Sequence, residues 1–82
     1  MNDRDTIFAE LQRILAESFE IDPQQITPES GLYDDLDLDS IDAIDLIVNV
    51  QELIGTKVQP EQFKSARSVN DVVDIVHRLT RG

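Results

Sequence analysis

The densest group of side chains able to do chemistry is Asp34-Asp35-Leu36-Asp37-Leu38-Asp39-Ser40-Ile41-Asp42, near the middle of the chain. Carboxylates at alternate positions, Asp35, Asp37 and Asp39, suggest a calcium loop. The EF-hand template needs Gly at its sixth position and a bidentate Glu at its twelfth. Counted from Asp35 those places hold Ser40 and Leu46, and Glu29 and Asp34 lie out of register. Crowded carboxylates could hold a divalent cation only loosely, so no metal ligand set is assigned.

Acid–base catalysis needs two groups whose pKa values are driven apart. These carboxylates fall on a loop and an exposed stripe, where water keeps them alike. A Ser-His-Asp arrangement would have to bring Ser40 to His77, the only histidine. The last helix's period puts His77 beside Val73 and Val76, at the edge of a bundle face. There is no Cys, no Gly-rich phosphate loop and no zinc spacing. No catalytic residue is assigned, and the chain reads as a non-enzyme.

Ser40 itself remains. Either Asp39 or Ser40 can cap the helix that begins here, and Asp39 with Asp42 three residues on makes a capping box. If Asp39 caps, Ser40 becomes the first helical residue with its hydroxyl free. A phosphate ester there would sit at the positive end of the helix dipole, beside unpaired backbone N–H groups. Asp39 and Asp42 oppose negative charge, so the singly charged phosphodiester suits the place better than a dianion.

The elements that position this segment are legible from periodicity. Ile7, Phe8, Leu11, Ile14, Leu15 and Phe19 form one face of a helix over Asp3–Phe19, capped by Asn2 or Asp3. A long connection runs from Glu20 to about Asp39, pinned to the core by Ile21, Ile26, Leu32, Tyr33, Leu36 and Leu38. Within it Thr27-Pro28-Glu29-Ser30 reads as a capped turn, with Gly31 free to take a positive φ. The second helix spans about Ser40 to Ile54 and stops at Gly55, a left-handed C-cap. Its apolar residues cover most of its circumference, which predicts burial on most sides, with Ile44, Ile47 and Val48 mainly in the core. One acidic stripe, Asp42, Asp45, Asn49 and Glu52, is left for solvent. Pro60–Lys64 is a short helical turn. Ser68-Val69-Asn70-Asp71 is a capping box opening a last helix with Val69, Val72, Val73, Val76 and Leu79 inside. The expected fold is all-α, one small bundle of three long helices plus one short helix, with a long first connection, over residues 1–82.

Charge narrows the partners. The 82 residues carry 17 acids against 7 bases, a net charge of −10. Between Arg13 and Lys57 there is no Lys or Arg, and eleven of the acids lie in that interval. Self-repulsion there opposes folding. The plain reading is a solvated face kept for solubility, and the sharper one is a docking surface for basic proteins. Nucleic acid and anionic membranes repel such a chain. With no apolar leader and no span of membrane length, the expected compartment is the cytoplasm.

Leu36-Asp37-Leu38-Asp39-Ser40-Ile41 and the acidic helix behind it resemble the attachment motif of acyl carrier proteins. In that family a D-S-L core carries 4′-phosphopantetheine on its serine, often with Gly two positions before the Asp. The resemblance covers nearly the whole chain: length, acidity, three long helices, a long first loop and a short third helix. It implies attachment at Ser40, with Asp39 flanking it and Asp42, Asp45 and Glu52 as the recognition face. Two departures stand out. Asp37 occupies the place of the Gly, and Asp tolerates unusual φ better than most residues. Ile41 replaces Leu at nearly equal volume. The resemblance implies a monomeric acyl shuttle for fatty-acid or polyketide-type synthesis. It would be loaded from coenzyme A by a phosphopantetheinyl transferase, then visited by acyl-transferring and ketosynthase-type enzymes with basic surfaces. The alternative is a small acidic interaction module that binds a basic partner protein without any prosthetic group.

Overall fold

A computed structural model describes residues 3–63 and 65–81, with Arg81 described by its backbone alone. Its elements are α1 (Arg4–Ser18), a 3-10 turn (Pro23–Gln25), α2 (Ser40–Ile54), α3 (Pro60–Phe63) and α4 (Val69–Arg81). The expected all-α bundle is therefore observed. Among the described residues there is no β-strand, only an isolated antiparallel bridge between Gly31 and Ser68.

Each long helix starts on a side-chain cap. Asp3 caps α1 by accepting from the Asp5 amide at 3.1 Å, while Asn2 and Lys64 lie outside the described residues. Asp39 and Asp42 form a capping box on α2. Ser68 and Asp71 form another on α4, the Asp71 amide donating to Ser68 Oγ at 3.2 Å and the Ser68 amide to Asp71 Oδ2 at 3.1 Å. Gly55 closes α2 at φ 68°, as a left-handed cap requires.

Ile7, Leu11, Ile14 and Leu15 of α1 and Val69, Val72, Val73, Ile75 and Val76 of α4 are buried. These two helices make the principal packing contact of the bundle. Ile75 widens the expected inner face of α4, and Leu79 is only half-buried. Each fully buried Leu, Ile or Val contributes about 1.5–3 kcal/mol relative to exposure. The centre of the bundle, enclosed by Leu11, Leu15, Leu32, Leu46, Val69 and Val72, has no space for a water molecule.

The connection between α1 and α2 is tied down by its backbone. Leu32 N–H donates to the Arg67 carbonyl at 2.8 Å, Val69 N–H to Ser30 at 3.0 Å, and Asn70 N–H to Pro28 at 2.9 Å. Ser30 is buried, and its Oγ donates to the Gln25 carbonyl and accepts from the Thr27 amide. Gln12 of α1 reaches across to the carbonyls of Pro23 and Ile26. Ile26, Leu32, Leu36 and Leu38 are buried anchors, as expected. Two expectations are corrected. Tyr33 is 38% exposed, because the turn closed by the Asp35 and Leu36 amides on the Gly31 carbonyl buries Leu32 and Leu36 and leaves residues 33–35 facing water. Gly31 does not take a positive φ; Glu20 and Asp37 do, at 56° and 57°.

Candidate functional site

The site is built where the pinned connection becomes α2. Leu36 and Leu38 bury their side chains on either side of exposed Asp37, and Leu38 N–H donates to the Leu32 carbonyl at 3.0 Å. Asp39 comes next in an extended conformation and caps α2, accepting from the Asp42 amide at 2.9 Å. The Asp39 amide donates back to Asp42 Oδ2 at 3.3 Å. Capping therefore falls to Asp39, and Ser40 is the first helical residue, exposed to solvent. The hydrogen bonds of the cap pass between Asp39 and Asp42 and leave the Ser40 hydroxyl out.

A phosphodiester on this hydroxyl fits what surrounds it. The position is open, it lies at the dipole-positive end of a 15-residue helix, and the capping box uses the amides of Asp39 and Asp42 and leaves those of Ser40 and Ile41 out. The same first turn carries the carboxylates of Asp39 and Asp42, which disfavour a second negative charge.

Of the acids expected to form a recognition face, Asp42 is half-buried and engaged in the cap, while Asp45 and Glu52 are exposed. Glu52 lies about 18 Å along the helix axis from Ser40, where it lines a groove with Arg13, Glu17 and Asn49 between α1 and α2. Asn49 turns its amide back onto the Asp45 carbonyl at 2.8 Å. The acids thus run along the helix and do not gather round Ser40.

The principal correction concerns the apolar residues of α2. Ile41 is 71%, Ile44 58% and Val48 44% exposed, whereas Leu46, Ile47 and Val50 are buried. Ile41, Ile44 and Val48 are three, then four residues apart, so they form one stripe along the helix. This stripe begins beside Ser40 and runs next to Asp45 and Glu52. The helix meets the rest of the bundle on one side only, so an apolar arc wider than that contact must face water. The signal was present in the sequence: eight apolar residues around a 15-residue helix exceed what one side can bury.

His77 lines a shallow groove with Arg4, Asp74 and Arg78, and none of the residues around Ser40 belongs to it. Arg4 bridges α1 to α4 by pairing with Asp74 and donating to Asn70 Oδ1. Ser40 does not line the groove that holds His77. Among the described residues no group of three or more His, Cys, Asp or Glu is arranged to hold a metal ion. No described helix is long and apolar enough to cross a membrane.

An acidic helical bundle with an open serine at a capped helix start, flanked by a mixed acidic and apolar helix face, has the build of a small carrier protein. The comparisons agree with that class. A family model described as "Phosphopantetheine attachment site" matches residues 9–76. Acyl carrier protein 2 of Ralstonia nicotianae is 48% identical over 73 residues, covering 89% of this chain and 90% of that protein. The acyl carrier protein of Coprothermobacter proteolyticus is 40% identical over 74 residues, covering 90% of each. The meromycolate extension acyl carrier protein of Mycolicibacterium smegmatis is 34% identical over 76 residues, covering 93% of this chain and 77% of that protein. The chain belongs to the acyl carrier protein family, and the group attached to proteins of this family is 4′-phosphopantetheine.

Proposed function

We propose that residues 1–82 act as one non-catalytic, monomeric carrier domain, with Ser40 as the attachment point for 4′-phosphopantetheine. The observation that supports this best is the division of labour at the start of α2. Asp39 takes the capping role, so Ser40 is open to modification without loss of a cap. In loading, the Ser40 Oγ–P bond forms as the pyrophosphate P–O bond of coenzyme A breaks. Adenosine 3′,5′-diphosphate leaves, and the hydroxyl proton passes to a base of the transferase. When attached, the arm supplies the terminal thiol that this Cys-free chain lacks, and holds acyl groups as thioesters.

The chain's own residues then act in recognition. Asp45 and Glu52 raise encounter rates with enzymes that present Lys and Arg, an effect expressed more in association rate than in final affinity. Ile41, Ile44 and Val48 supply an apolar strip that a docked partner can cover, giving a contact small enough to release quickly. Fatty-acid or related acyl assembly supplies the partners, among them ketosynthase-type and acyl-transferring enzymes. The Mycolicibacterium smegmatis relative, by name a meromycolate extension carrier, supports a place in acyl assembly.

The test is intact mass before and after incubation with coenzyme A, magnesium and a broad-specificity phosphopantetheinyl transferase. The expected result is a gain of one phosphopantetheine, absent in Ser40→Ala. No gain in the folded wild-type protein would leave an acidic module that binds a basic partner, and the carrier reading would fall.

A further inference from the structure

Two loops in this chain close in the same way. Ile21 N–H donates to the Leu15 carbonyl at 3.3 Å, and Leu38 N–H donates to the Leu32 carbonyl at 3.0 Å. Both closures begin at a buried Leu, and in both the penultimate residue is left-handed: Glu20 at φ 56° and Asp37 at φ 57°. Glycine adopts this conformation freely, Asp and Asn tolerate it, and in other residues it costs backbone energy.

The two turns lead to different places. Glu20 leads into the 3-10 segment at Pro23–Gln25, whereas Asp37 stands three residues before Ser40. The reversal at Asp37 allows Leu36 and Leu38 both to be buried while the chain enters α2 with Asp39 as cap. A residue that abandons the left-handed region must move Leu38 or Asp39, and with them the first turn of α2. Asp37 itself is exposed, so the constraint lies in its backbone and not in packing of its side chain.

We propose that Asp37 is a positioning residue for Ser40: its left-handed backbone holds the start of α2 in the one arrangement that the modifying enzyme can dock. This rests on the assignment of Ser40 as the attachment point. A chain that populates the docking-competent arrangement only in part binds with an affinity reduced by that fraction. The expected effect is therefore a raised KM for the carrier, with kcat at saturation preserved.

The experiment measures loading kinetics by intact mass, with a broad-specificity phosphopantetheinyl transferase, alongside thermal melting. Asp37→Val, β-branched and least tolerant of positive φ, is expected to raise KM on the order of tenfold. Asp37→Ala gives a smaller rise in the same direction and keeps the test open should the Val variant fail to fold. Asp37→Asn and Asp37→Gly are expected to rescue KM, and the Gly variant also to melt higher. Glu20→Val is the control, lowering the melting temperature while leaving KM alone. A wild-type KM in the folded Val and Ala variants would overturn the proposal. So would an Asn variant as impaired as Val, since the carboxylate would then be what acts. Failure of the wild-type chain to load at all would instead remove the assignment of Ser40.

Discussion

The starts of α2 and α4 are built from the same local device and put to different uses. Each has a capping box closed by an Asp, Asp39 with Asp42 in one and Ser68 with Asp71 in the other. After the cap of α4 comes Val69, almost wholly buried, and the helix turns a continuous apolar face onto α1. After the cap of α2 comes Ser40 in the open, with Ile41, Ile44 and Val48 beyond it in water. A cap only starts a helix; what lies against the helix decides whether its first residues become core or surface. In α4 the serine does the capping and is held. In α2 an aspartate does, and the serine is released.

The largest expected effect separates the two serines. Ser40→Ala should abolish loading by the transferase while leaving the thermal midpoint near wild type. Ser68→Ala should do the reverse, costing about 1 kcal/mol of stability with loading intact. Intact mass and urea titration on both variants check the pair, and loss of loading in both would show that the two caps are not independent. Apolar truncation should divide the helices next. Leu11→Ala, in the α1 face that meets α4, is expected to cost about 2–5 kcal/mol. Ile44→Ala should stay within about 0.5 kcal/mol, because that side chain is already in water. A costly Ile44→Ala in urea would mean that the stripe packs inward in solution.

A smaller effect is expected from charge. Asp45→Lys should slow acyl transfer by a partner enzyme by roughly 2–10-fold at low ionic strength and flatten its salt dependence. Unchanged rates across a salt series would reduce the acidic run to a solvated face.

The smallest effect concerns pH. Asp71 is held below the ordinary carboxylate value of 3.8, chiefly by the Arg67 amide and further by the amide and hydroxyl of Ser68, against an opposing effect of burial. A lowered folded pKa gives stability that is fully present above the unfolded value and is lost as pH falls through the folded one. Asp71→Asn should therefore be less stable than wild type at neutral pH, with the gap narrowing below about pH 4. Urea midpoints at the two ends of that range measure it, and a constant gap would place the loss in packing.

The features legible in the sequence obey local rules. The α2 limits, the Gly55 stop and the Ser68–Asp71 box are each decided within four or five residues, where hydrogen-bond geometry leaves few options, while the α2 cap was narrowed to Asp39 or Ser40 and the structure chose Asp39. The helical periods likewise picked out the α1 and α4 faces that pack together. Tertiary structure alone decided which part of α2 faces water, because its apolar pattern shows only that some of the arc is left over, and where α1, α3 and α4 lie against it decides which part. It also decided that Tyr33 points outward, that residues 28–32 pair with 67–70, and that the left-handed turn falls on Asp37 rather than Gly31. Those outcomes come from residues far apart in the chain settling one shared core, and no window of sequence contains both sides of such a contact.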